Sequence, residues 1–163
     1  MARPNPIRKI MQSALPTKTE QRKFPYRPQI QELEYTYDLL NRYVFDNALN
    51  RPEITTRQHQ KAWGLCEGDL AEDDSKIYYQ SKIILHNKWY CPQWMVTILA
   101  HEMVHQYQWD VLGPERYSKG KHWLMSHGPS FFMFKGVLED YNIALKVKYG
   151  RRRWFETQDL FAC

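Results

Sequence analysis

Apolar residues along the chain change their period several times, and each change marks an element. From Gln29 onward, Ile30, Leu33, Tyr37, Leu40, Val44 and Ala48 recur at steps of three and four, the single apolar stripe of a helix lying on a core. Asn50-Arg51-Pro52 ends that pattern. Residues 53–86 then take up strand habits: Glu53 to Gln58, Ala62 to Gly68, and Lys76 to His86, the last rich in Ile and Tyr. Leu70 to Ser75 reads as an acidic turn, and Gly64 permits a bulge or a close approach inside the second strand. Three strands joined by short turns predict an antiparallel meander.

A second helix is predicted between Pro92 and Gly113. Proline suits a first helical position, because its missing N–H would have no intrahelical partner there. Gly113 followed by Pro114 is a stop signal. Met95, Leu99, Ala100, Met103, Val104, Tyr107 and Val111 share one arc of this helix, which predicts a core face. A third helix is predicted after Ser126-His127-Gly128-Pro129-Ser130, where Phe131, Phe134, Leu138, Tyr141 and Leu145 have helical spacing.

The arc opposite the core face of the second helix carries the chemistry. His101-Glu102-Met103-Val104-His105 is an H-E-x-x-H run. Its two histidines stand about 40° apart around the axis and about 6 Å apart along it. Two imidazoles so placed can bind one zinc ion, with Glu102 beside them as the candidate general base. A catalytic zinc takes three protein ligands and keeps one position open. The continuation with glycine three residues and histidine six residues after the second ligand is excluded, since Gln108 and Val111 stand there. A glutamate on a following helix would have to be Glu139, and nothing around it supports that role. His122 and His127 remain. His127 is preferred, because it lies at a helix entrance with Gly128 leaving the backbone room to approach a metal.

Taken together, the two motifs resemble the SprT-like zinc metalloproteases. The paired signature is His101-Glu102-Met103-Val104-His105 followed by His127-Gly128-Pro129-Ser130-Phe131. Leu39-Leu40-Asn41-Arg42-Tyr43-Val44-Phe45 is similar to the family's first helix, Ala62-Trp63-Gly64-Leu65-Cys66 to its glycine-containing strand, and Lys82-Ile83-Ile84-Leu85 to the strand entering the motif. The resemblance covers residues 30–145 and implies an α+β, zincin-like fold. Its expected parts are an N-terminal helix, a three-stranded antiparallel sheet, a central H-E-x-x-H helix, and a C-terminal helix carrying the third ligand at its start. It also implies one Zn2+ per chain, peptide hydrolysis, and a protein substrate, in several members one crosslinked to DNA. The chain departs from the Spartan branch in two ways. The connection from His105 to His127 is longer, so that Trp109 to Ser126 could form a lid, and the C-terminal Cys-x-x-Cys ribbon has no counterpart. Compact relatives of this kind are similar to proteins of bacteria and their phages.

Charge adds a second theme. Residues 1–28 hold seven basic residues and one acid among five prolines. They read as a largely irregular arm, with a short helical turn available to Ile7, Ile10, Met11 and Ala14. Lys146, Lys148, Arg151, Arg152 and Arg153 form a second basic cluster in a tail spanning 146–163. Basic segments of this sort engage phosphate backbones through counterion release, so Arg151, Arg152 and Arg153 are candidate nucleic-acid contacts. Between arm and tail lies one catalytic domain, 29–145. The alternative is a non-enzymatic, zinc-stabilised adaptor in which the basic ends bind nucleic acid. Tyr117 and His122 are the candidate oxyanion or substrate contacts, since Tyr107 falls on the core arc. Three widely spaced cysteines argue for reduced thiols in a cytoplasmic setting. Neither a secretory h-region nor an apolar run of membrane-spanning length is present. Nothing in the sequence indicates an oligomeric state.

Overall fold

The computed structural model describes residues 5–12, 25–58, 62–73, 76–113 and 126–149. Among these, α1 is Pro6–Met11, α2 Ile30–Tyr43, β1 Glu53–Arg57, β2 Gly64–Asp73, β3 Lys76–His86, α3 Pro92–Gln106, α4 Pro129–Phe132 and α5 Lys135–Glu139. A π-helical turn, Tyr107–Leu112, prolongs α3. The fold is α+β. No helix among the described residues is long and apolar enough to cross a membrane.

The sheet is mixed, which corrects the expected antiparallel meander. Its order is β1-β3-β2, with β1 parallel and β2 antiparallel to β3. Composition explains the order. β3 buries Ile83, Ile84 and Leu85, and the most apolar strand takes the centre, where both neighbours cover it. Five-residue β1, with Ile54 as its one buried side chain, is left to an edge. The end of β1 and the start of β2 both lie beside the end of β3, since Arg57 pairs with His86 and Gly64 with Leu85. The hairpin also turns later than expected. β2 runs on to Asp73, which pairs with Lys76, so most of the acidic stretch belongs to the strand.

Helix α2 follows its stripe through Leu33, Tyr37 and Leu40, all fully buried. It stops at Tyr43, earlier than Asn50, because Asp46 and Asn47 adopt left-handed backbone angles (φ 53° and 57°). Aspartate and asparagine tolerate that conformation better than other side chains do. Asn41 clamps the reversal, donating to the Leu49 carbonyl at 2.7 Å and accepting from the Leu49 N–H at 3.1 Å. Leu49 thereby enters the core, and Ala48 of the expected stripe is exposed.

Helix α3 is the axle of the fold. From Gln93 to Val104 every residue is buried, so the helix has no solvent face over that stretch. Trp94 packs on Trp63 (centroids 4.1 Å apart) and on Trp89 (6.1 Å). The helical wheel fails only at its end. The Gly113 N–H bonds to the Gln108 carbonyl (3.1 Å), and an i→i−5 bond winds the chain more slowly than an α-helix does. Val111, expected on the core arc, is accordingly 43% exposed. Gly113 closes the element at φ 91°.

One further segment differs from expectation, and the helical turn foreseen at Ile7, Ile10 and Met11 is present as α1. The predicted third helix is split into α4 and α5 and ends at Glu139, three residues before Asn142 takes φ 59°. Gly136 inside α5 lowers its helical preference, and the aromatics anchor in different places: Phe131 under the histidines and Phe134 on Phe45 and Tyr107. Within the segment expected to be an irregular arm, Asn5 caps α1 by accepting from the Ile7 N–H (3.0 Å). Ile7 is fully buried, and the Arg8 guanidinium donates to the Asp140 carbonyl (2.8 Å). Tyr26 and Trp89 exchange backbone hydrogen bonds of 2.8 and 2.9 Å. Replacing Ile7 by alanine should therefore cost about 2–4 kcal/mol of stability, read as a lower urea midpoint with an unchanged slope; an unaltered midpoint would show that α1 does not pack on the domain.

Candidate metal centre

His101 and His105 stand one turn apart on α3, and the loop preceding α4 brings His127 to them. Ligand atoms of the three lie within 4.8 Å of one another. The Nε2 atoms of His101 and His105 are 3.2 Å apart. Two nitrogens bound at about 2.0–2.1 Å to a tetrahedral zinc are themselves about 3.3–3.4 Å apart, so this spacing fits one ion between them. The Nε2 atom of His127 is buried without a hydrogen-bond partner, as a ligand atom awaiting a cation would be.

One side chain supports all three rings. Phe131 lies 4.9, 4.8 and 4.9 Å from the centroids of His101, His105 and His127. It is fully buried and sits four residues beyond His127, on the first turn of α4. Pro129 opens that turn, and the Phe131 N–H bonds to the Gly128 carbonyl (3.0 Å). The sequence His-Gly-Pro-Ser-Phe thus supplies a ligand, a tight entry, a helix start and the support beneath the rings.

Burial holds the imidazoles neutral, the form that binds metal. His101 is driven well below the usual histidine range by desolvation and by the neighbouring His105 and His127. A backbone contact from Lys146 acts in the opposite direction. Desolvation lowers His105 to about 4 against the bond from Gln108, and His127 is lowered by desolvation too.

Glu102 is buried beside the cluster, and desolvation pushes its carboxyl up to about 8, partly offset by a hydrogen bond from the Cys66 backbone. It meets β2 at Gly64. A Cβ there would lie 2.9 Å from Ile98 Cγ2 and 3.0 Å from Glu102 Cγ and Oε1, so the close approach foreseen at Gly64 is real and admits Glu102. Cys66 and Cys91 are free thiols raised by burial.

Two adjoining cavities open on these residues. One, of about 420 Å³, is lined by Gly64 to Cys66, Gly68, Trp109 and all three histidines; the other, of about 320 Å³, by Trp63, Ile98, Glu102 and Tyr149. Trp109 lies flat over Gly68, where a Cβ would fall 2.2 Å from the indole. Tyr149, expected in the tail, places its ring 5.2 Å from that of His101 and donates its hydroxyl to the Ala144 carbonyl.

The structure therefore gathers His101, Glu102, His105 and His127, as the motifs predict. Tyr107 stays in the core against Phe45 and Phe134. Tyr117, His122, Arg151, Arg152 and Arg153 lie outside the described residues. Trp109, expected at the start of a lid, lines the cavity; sequence reasoning missed Phe131 as a support for the ligands, and Tyr149. Phe131 had a signal, its place one turn past His127, whereas Tyr149 had none. No family model, curated protein or solved structure matches the chain.

Purified protein should hold about one divalent ion per chain by elemental analysis, lost on replacing His127 with alanine. Full occupancy in that variant would remove His127 from the site. Gly64→Val should lower stability by about 1–3 kcal/mol in urea unfolding through collision with Glu102 and Ile98; an unchanged midpoint would mean that the strand and helix are not in contact there.

Proposed function

We propose that the chain is a zinc-dependent metallopeptidase of the SprT-like kind, hydrolysing peptide bonds in protein substrates. The observation that carries this reading is the convergence of three imidazoles and a buried carboxyl on one cavity. A purely structural zinc site closes all four positions with protein ligands. Among the described residues, the histidine cluster offers three.

His101, His105 and His127 would hold the ion. Zinc bound there supplies a Lewis acid for the scissile carbonyl and an acidified water. Glu102 would serve as general base and then general acid, accepting a proton from the attacking water and returning one to the leaving amine. Its burial in an apolar wall favours this exchange, because a carboxyl out of water holds a proton more readily than an exposed one. β2 is an edge strand, and its residues Gly64 to Cys66 and Gly68 line the cavity. An extended peptide can pair along that edge as an added strand and present its backbone to the metal.

The basic residues of the arm and tail support action on proteins attached to DNA. The adaptor alternative is best tested by substituting Lys18, Arg22 and Lys23. Truncating residues 1–28 would also remove Ile7 and Tyr26 from their packing.

Glu102→Gln should lower cleavage of an unfolded protein substrate by about 10²–10⁴-fold with the metal content unchanged. Retained proteolysis would refute Glu102 as the base. A wild-type protein that carries zinc yet cleaves nothing, and loses DNA binding when the arm lysines and arginine are replaced, would favour the adaptor.

A further inference from the structure

Beyond the three ligands and Glu102, a polar pair inside the fold joins the two segments that carry the metal site. The Gln108 side-chain oxygen lies 3.0 Å from His105 Nδ1, and its amide nitrogen donates to Ser130 Oγ at 2.8 Å. Gln108 and Ser130 are both fully buried. Gln108 belongs to the π-helical turn that follows the ligand helix; Ser130 belongs to α4, three residues beyond His127.

We infer that Gln108 is a positioning residue for the metal: it selects the His105 tautomer that presents Nε2 to the ion, and through Ser130 it ties His105 to the segment carrying His127. The inference rests on the proposed metal site and goes further, to what holds that site ready. An amide oxygen can only accept, so Nδ1 of His105 must carry the proton and Nε2 is left with a lone pair. That lone pair faces His101 Nε2. The amide has no rotational freedom to spare, because its nitrogen is held by Ser130 at the same time. Groups hydrogen-bonded behind a metal-bound histidine fix ring orientation and raise ligand basicity.

The π-helical winding has a role in this arrangement. Gln108 lies three residues after His105, on the same side of the helix, and its carbonyl receives the Gly113 N–H that closes the wide turn. The same turn carries Asp110, which accepts from Ser81 Oγ (2.7 Å) and from the Gln106 amide (3.0 Å). Gln106 in turn accepts from the Tyr37 hydroxyl (2.9 Å) and donates to the Asn50 carbonyl (2.7 Å). The segment that carries Gln108 is thus pinned to β3, to α2 and to the loop before β1.

The test is zinc affinity by competition with a chromophoric chelator, together with the visible spectrum of the cobalt-substituted protein. Gln108→Ala should weaken zinc binding by about 10–100-fold and alter the cobalt spectrum, and Ser130→Ala should give a smaller loss in the same direction. Gln108→Glu keeps an acceptor at His105 Nδ1 and should restore affinity to within about threefold of wild type. If Gln108→Ala does not fold, Gln108→Glu decides alone: near-native affinity with a native cobalt spectrum supports the inference, and a tenfold loss overturns it. Wild-type affinity in a folded Gln108→Ala overturns it while leaving the metal site standing. Failure of the wild-type protein to bind zinc or cobalt overturns the metal site and this inference together.

Discussion

Two imidazole nitrogens held 3.2 Å apart in a buried site repel each other unless a proton or a cation lies between them. Most of the packing around α3 bears on that pair. The helix is buried from Gln93 to Val104, and its two histidines reach solvent only through the cavity they line. Phe131 fills the space beneath the rings, and Gln108 fixes the way His105 faces. In the unfolded chain none of this proximity exists, so a bound metal adds its free energy to folding. A single ion would cross-link α3 to the segment before α4, adding to the Phe131 packing and the bond between Gln108 and Ser130.

The buried Glu102 exists for the same geometric reason. β2 can come close enough to cover it only because Gly64 has no side chain, and the Cys66 backbone then gives the carboxyl its hydrogen bond. A carboxyl shielded in this way from water, yet open to a cavity shared with three histidines, is costly to maintain by packing alone. That cost makes sense where proton exchange at this position is useful.

Much of the site was legible in the sequence because its chemistry is local. The H-E-x-x-H spacing needs only an α-helix to bring two ligands together, and Pro92 and Gly113 mark that helix at both ends. His127 was legible too, since Gly128 and Pro129 mark a tight entry into a helix. The sheet order was harder. A hairpin between β2 and β3 is a local matter, but the parallel placing of β1 depends on which strand the core most needs to cover. The π-helical turn after Gln106 was invisible to a fixed 100° wheel, which therefore misplaced Val111. Ile7 and Tyr149 show the same limit from the two ends of the chain. Each follows or precedes basic, proline-bearing or irregular sequence, and only tertiary contacts bring them to α3.

Coordination of a single zinc ion by three histidine nitrogens, with one exchangeable position, is what we propose for this site. X-ray absorption at the zinc edge of the purified holoprotein tests it directly. The spectrum should show about four light scatterers near 2.0 Å, with the outer-shell pattern of three imidazoles and no sulfur. A sulfur shell at about 2.3 Å, or an outer shell accounting for fewer than three imidazoles, would contradict it.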